Sequence, residues 1–246
     1  LLADVPAFRK VLNLARDAQL AMYRDPEWRA EAKAELAAGG RLLSASWTGS
    51  TVHRVKNPAL HGLLDRTITD IAKERGNDPL DTLADIAVAD ELNLVIRTQF
   101  LNNDPDVLGR HIADPRVLLG QHDAGAHVDM MFMANFPTHL LGHWVRERRA
   151  MTLERAVQRI TSDPADFFGF RDRGRIAPGK IADLMVFDPQ IVNSRGTPER
   201  LLSDLPAGGK RLHSRAIGMT HVLVHGELLL EKGEHTGAMP GRIVNS

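Results

Sequence analysis

The chain contains no cysteine. Disulfides, thiolate nucleophiles and cysteine-ligated metal are therefore excluded within this stretch. It also lacks net charge, because 31 Lys and Arg balance 31 Asp and Glu. Bulk electrostatics gives no attraction towards nucleic acid or an anionic membrane surface, and neither partner is expected. No apolar run approaches the roughly 20 residues of a membrane span. No signal-peptide pattern follows Leu1; the lack of cysteine is compatible with a cytoplasmic location, which is the expectation. The first residue is not Met, and the stretch is expected to be part of a longer protein. What is present is ordinary for a globular chain: 43% hydrophobic and 25% charged residues in 246. That is enough for a sizeable core, in one large domain or two smaller ones.

Helix signals dominate the first part. Residues 5–23 read as one long helix. Asp25-Pro26 opens a second, which Gly39-Gly40 ends. Residues 41–47 read as a short buried strand and residues 49–59 as a loop carrying His53, Arg54 and Lys56. Thr67 begins a helix that stops at Gly76, and Asp78-Pro79 begins the next. Leu80, Leu83, Ala84, Ala87 and Val88 share one face of it. Residues 92–96 suggest a strand, and Asp104-Pro105 starts another helix. Arg116-Val117-Leu118-Leu119-Gly120 is the best candidate for a buried strand. Helices are expected over residues 137–149 and again from Thr152 to Ile160.

The character changes after Gly169. Glycines become frequent and short apolar strands appear at residues 183–187, 221–224 and 227–230. Gly226 between the last two predicts a tight hairpin. Strand–helix alternation in the first part predicts a mostly parallel sheet, and the tail is all β. A complete parallel barrel takes about 250 residues, so only part of one fits before the tail.

The sharpest chemical feature is Gln121-His122-Asp123-Ala124-Gly125-Ala126-His127, directly after the best strand candidate. Ionisable groups at the C-terminal end of a parallel strand are where α/β folds place ligand-binding chemistry. Asp123 can bind a divalent cation and accept a proton from water, while His122 and His127 can serve as ligands or hydrogen-bond donors. A lone Asp after a strand is more often a turn or helix cap, and that reading stays open. His139 and His143 are spaced to share a helix face, but no Glu follows His139, so the zinc-protease helix pattern is absent. One packed and one exposed histidine is the expectation there. His53 and His61 read as solvated loop histidines, and Gly208-Gly209-Lys210 as a turn. Phe167, Phe168 and Phe170 are expected to pack in a core.

Residues 115–241 resemble the amidohydrolase superfamily, and specifically its N-acyl-D-amino-acid deacylase branch. The run from Arg116 to His127 is similar to the last barrel strand, with Asp123 retained and His122 standing where that branch has serine. Phe136-Pro137-Thr138-His139-Leu140-Leu141-Gly142-His143-Trp144 resembles the helix that follows. Thr161-Ser162-Asp163-Pro164-Ala165 resembles the run that closes the barrel. Arg173-Gly174-Arg175-Ile176-Ala177-Pro178-Gly179-Lys180-Ile181-Ala182-Asp183-Leu184-Met185-Val186-Phe187-Asp188 is similar to the return into a small β-sandwich. The hairpin around Gly226 and the tail Thr236-Gly237-Ala238-Met239-Pro240-Gly241 complete the likeness. Ile71-Ala72-Lys73-Glu74-Arg75-Gly76-Asn77-Asp78-Pro79 resembles the inserted helices before the last strand.

The resemblance implies an α/β fold: the C-terminal part of a TIM-like (β/α)8 metal-dependent hydrolase barrel over residues 1–170, then a β-sandwich over 171–246. On this reading residue 47 closes the seventh strand and Asp123 the eighth. The implied activity is hydrolysis of an amide in a small N-acylated amino acid, of D configuration in that branch. One or two zinc ions hold the attacking water, and a metal lowers its pKa towards about 7. Asp123 is the implied catalytic residue and a metal ligand. Arg66 is the implied ligand of the substrate carboxylate, with Arg54 as rival, because a guanidinium binds a carboxylate bidentately. His127 is the implied donor to substrate. The family's first-strand His-x-His pair has no match here. Most zinc ligands are therefore expected upstream of Leu1, and this stretch alone is expected to be inactive. A homo-oligomer is compatible with the sequence. Two rival readings are a hydantoinase- or dihydropyrimidinase-like cyclic amidase and a non-catalytic scaffold.

Overall fold

A computed structural model describes residues 4–39, 47–98, 102, 104–120, 125–130, 134–194 and 200–244. The chain divides into two compact units, Leu1–Pro105 and Asp106–Ser246. Helices and strands occur in both. The change to β structure anticipated near residue 170 falls inside the second unit.

In the first unit, residues 5–23 form two helices, α1 (Pro6–Leu12) and α2 (Arg16–Arg24), where one was expected. The chain leaves the helical region at Asn13, and Ala15 is extended. The Gln19 side chain then donates to the carbonyl of Leu14 at 2.9 Å, giving that exposed turn a partner outside the helix ladder. Helix α3 (Pro26–Ala37) starts as its sequence requires, with the Asp25 carboxylate accepting from the Glu27 amide. Phe8, Trp28 and Tyr23 pack edge-on, and the Trp28 indole donates to the Ala7 carbonyl at 2.9 Å. These rings, with Val5, Val11, Ala32 and Leu80, make one core.

Residues 49–59 are not simply a loop. Ser50–Arg54 is strand β1, its Ser50 and Val52 side chains buried. It pairs antiparallel with β2 (Val95–Thr98), Ser50 opposite Thr98. Alternating burial and the β-branched Thr51 and Val52 account for the strand. The expected strand at 92–96 begins later, because Glu91 and Leu92 take positive φ and turn the chain. A 3-10 helix (Pro58–Leu63), α4 (Ile68–Arg75) and α5 (Pro79–Ala89) lie between the two strands. Thr67 and Asp78 cap α4 and α5 with their side-chain oxygens. Val52, Val55, Leu60, Ile68, Ile71, Leu83 and Ile86 form a second core there.

The second unit opens with α6 (Pro105–Ala113). Residues 116–120 follow, and they make no strand: Val117 is exposed and no ladder partner lies alongside among the described residues. An apolar run becomes a strand only where neighbours satisfy its backbone. Helix α7 (Phe136–His139) runs directly into a π-helix (Leu140–Glu147), and α8 (Leu153–Ile160) and α9 (Ser162–Phe167) complete the helical part. Leu140, Leu141, Trp144, Ala156 and Val192 form its core. Phe167 and Phe168 are exposed, not packed as expected, because they sit at the end of the short α9 and contact each other edge-on.

In the tail, β3 (Leu184–Phe187), β6 (Met219–Val224), β7 (Glu227–Glu231) and β8 (Glu234–His235) form one sheet in that order. The hairpin expected at Gly226 joins β6 to β7. His225 and Gly226 both have positive φ, which a two-residue turn of this hand requires. Strands β4 (Arg200–Leu202) and β5 (Arg211–His213) make a separate pair. Every ladder among the described strands is antiparallel, so the expected parallel sheet is not found in them.

Candidate functional site

Gln121, His122, Asp123 and Ala124 lie outside the described residues; their flanks do not. On the N-terminal side, the Asp114 carboxylate accepts from the Arg116 amide at 2.9 Å and from its guanidinium at 2.6 and 3.0 Å. This fork holds the Asp114 carboxyl well below the usual carboxylate range. On the C-terminal side, His127 is exposed with φ 49°. Its carbonyl accepts from Met130 N at 2.8 Å, closing a turn. The next carbonyl, of Val128, accepts from Leu212 N at 2.6 Å. His127 therefore has an accessible ring on a tight turn tied to β5, which suits either donation to a ligand or a turn role.

Arg66 is held by its backbone. Its carbonyl accepts from Val52 N at 3.0 Å, and Asp65 N donates back to the Val52 carbonyl at 2.8 Å. The guanidinium pairs with Glu74 of α4. Such an exposed pair is worth at most about 1 kcal/mol, so it holds the guanidinium only weakly. Arg54 ends β1 with an exposed side chain, and among the described residues no carboxylate pairs with it.

The segment that joins these arginines is held by a group that sequence reasoning missed. Asp90 is 2% exposed. Its Oδ1 accepts the amides of Lys56 at 2.8 Å and Asn57 at 2.6 Å. Its Oδ2 is buried and has no hydrogen-bond partner among the described residues. The Asn57 side chain donates to the Ala89 carbonyl at 2.9 Å and accepts from Ala59 N at 3.0 Å. No local signal marks Asp90, because its partners are distant in the chain.

The histidines of the π-helical segment are not one packed and one exposed. Both are half-buried and stacked, with ring centroids 4.9 Å apart at 17°. His143 Nδ1 lies 2.8 Å from Glu147 Oε2, and His139 Nδ1 lies 3.4 Å from Ser194 Oγ. Glu147 Oε1 also accepts from Asn193 at 3.2 Å. The i,i+4 spacing thus serves ring stacking and links the helix to residues 193–194. His53 is likewise engaged, 3.3 Å from an Arg97 nitrogen.

Among the described residues, no three His, Asp or Glu side chains come together as a group able to hold a metal ion. None of their helices is long and apolar enough to cross a membrane.

Residues 48–229 match the profile of the amidohydrolase family. A D-aminoacylase of Alcaligenes xylosoxydans xylosoxydans is 30% identical over 191 residues, which is 76% of this chain and 34% of the relative. An N-acyl-D-glutamate deacylase of the same organism is 39% identical over 107 residues, covering 44% of this chain and 20% of the relative. A D-aminoacylase crystal structure, described as defining a novel subset of amidohydrolases, aligns with TM-score 0.40 and 27% identity. That alignment covers 80% of this chain and 38% of the other. The chain thus spans about a third or less of the curated relatives it matches.

Proposed function

The chain belongs to the amidohydrolase family, and from that membership we propose that the protein it comes from hydrolyses the amide bond of small N-acyl-amino acids, with a preference for the D configuration. The observation that carries this reading is the family match over residues 48–229, with relatives named as D-aminoacylase and N-acyl-D-glutamate deacylase.

Asp123 is the proposed catalytic carboxylate. It takes a proton from water as the water oxygen bonds to the scissile carbonyl carbon. It then returns that proton to the amide nitrogen as the C–N bond breaks, leaving a carboxylic acid and a free amine. Arg66 is the proposed ligand of the substrate carboxylate, with Arg54 at the end of β1 as the alternative. His127, accessible on its turn, is a proposed donor to substrate. Zinc is the proposed cofactor, and Asp123 is the ligand this chain would offer. The described residues make no zinc site by themselves, and the remaining ligands are proposed to lie elsewhere in the protein. Residues 1–170 are proposed to contribute the last strands of a TIM-like barrel and residues 171–246 a β-sandwich. A cytoplasmic enzyme acting on a small molecule is the corresponding setting.

The test is amine release from N-acetyl-D- and N-acetyl-L-amino acids, hydantoin and dihydropyrimidine by the zinc-loaded protein. Turnover confined to the N-acyl-D-amino acids supports the reading. Turnover of the cyclic amides alone overturns the substrate assignment.

A further inference from the structure

We infer that Asp90 is a positioning residue for recognition of the substrate carboxylate, an inference that rests on the assignment of Arg54 or Arg66 to that carboxylate. Residues 55–66 run from one arginine to the other. At the far end, Arg66 is fixed to β1 through the Val52 amide and carbonyl. In the middle, Val55 and Leu60 are buried in the second core of the first unit. At the near end, directly after Arg54, the polar attachments that lead to another element run to the end of α5: Asp90 Oδ1 under the Lys56 and Asn57 amides, and the Ala89 carbonyl under the Asn57 side chain.

Burying a carboxylate costs free energy unless hydrogen bonds replace its hydration. Asp90 recovers this on one oxygen only, and its other oxygen is buried without a partner among the described residues. A short acceptor at this place does one specific thing: it gathers two successive amides on one oxygen and so sets the direction in which the chain leaves Arg54. Ligand-binding groups displaced by about 1 Å lose much of their effect. Releasing this turn should therefore weaken capture of a charged substrate without altering the reacting atoms.

The test is steady-state kinetics of the zinc-loaded enzyme and its Asp90→Ala, Asp90→Asn, Asn57→Ala, Arg54→Ala and Arg66→Ala variants. Two substrates are compared: an N-acetyl-D-amino acid and the N-acetyl amine that lacks the carboxylate. Asp90→Ala is expected to raise KM for the acid about tenfold, keep kcat within about threefold, and leave kcat/KM for the neutral amide unchanged. Asp90→Asn, which keeps an acceptor oxygen, is expected to restore most of the KM. Where Asp90→Ala does not fold, Asn57→Ala, which loosens the same turn, is expected to raise KM for the acid alone by about threefold. If an arginine variant raises KM for the acid but neither turn variant does, the positioning role is wrong and the arginine assignment stands. If neither arginine variant raises it, the arginine assignment fails, and the positioning role with it. Equal losses on both substrates mean that Asp90 is merely structural, which also overturns the inference.

Discussion

Gly142 lies against Val192, so closely that a β-carbon on it would stand 2.6 Å from the Val192 carbonyl oxygen. Arg146, one helical turn on, donates to that same carbonyl at 2.6 Å. The π-helical segment is thereby seated directly on the backbone of the loop after β3. Gly142→Ala is predicted to destabilise the protein by about 1–3 kcal/mol, the usual cost of overpacking a tight contact. Urea unfolding checks this, and a variant as stable as the parent would mean that the two backbones do not meet.

Tyr23 is the single tyrosine of the chain. Its ring packs edge-on to Trp28 at 5.1 Å, and burial pushes its phenol above the ordinary value. An acid whose folded pKa is raised holds its proton longer in the folded state. Stability is therefore intact below about pH 10, where unfolded tyrosine titrates, and falls as pH rises from there through the folded pKa. Tyrosinate absorbance should titrate with a midpoint above about 10 in the native protein, and near 10 in denaturant. A native midpoint at the denatured value would place Tyr23 in water.

Four surface carboxylates, the half-buried Asp114 and the exposed Asp166, Asp172 and Asp204, are lowered chiefly by hydrogen bonds from Arg116, Arg175, Arg173 and Arg211 respectively. Depressed folded values place their contribution above the unfolded carboxylate pKa of about 4 and remove it as pH falls through the folded values. The melting temperature should thus be insensitive to these groups between about pH 5 and 7 and should decline below about 4. Added salt should soften that decline, since exposed pairs are screened. A Tm that rises on acidification below pH 4 would contradict the pairing.

The sequence made local features legible and distant ones not. The cap pairs Asp25-Pro26 and Asp78-Pro79, and Thr67 and Thr152, mark true helix starts because a cap and its amide sit within three residues of each other. The turn at His225-Gly226 was legible for the same reason. Strands were harder, because a strand is made by its neighbour. Residues 116–120 are more apolar than β1, yet of the two only β1 finds a partner among the described residues, across the intervening α4 and α5. The stacked His139 and His143 were misread because helical spacing says which side chains are near, not whether their rings face a ligand or each other. Asp90 was invisible because the amides it holds lie more than 30 residues away. The runs 116–127 and 173–188 carried the family resemblance, while the placement of Arg54 and Arg66 came from the fold around β1.

The central claim is that the protein is an amidohydrolase whose proton transfers run through Asp123. It is tested most directly by the turnover of an N-acetyl-D-amino acid by the zinc-loaded parent and its Asp123→Ala variant, with the unfolding temperature of each recorded. The account predicts that the parent turns over. The variant should unfold within a few degrees of the parent and lose turnover by at least about a thousandfold, as expected when a group serving both proton steps is removed. A folded variant that retains turnover would show that another group moves the proton, and the assignment of Asp123 would be wrong.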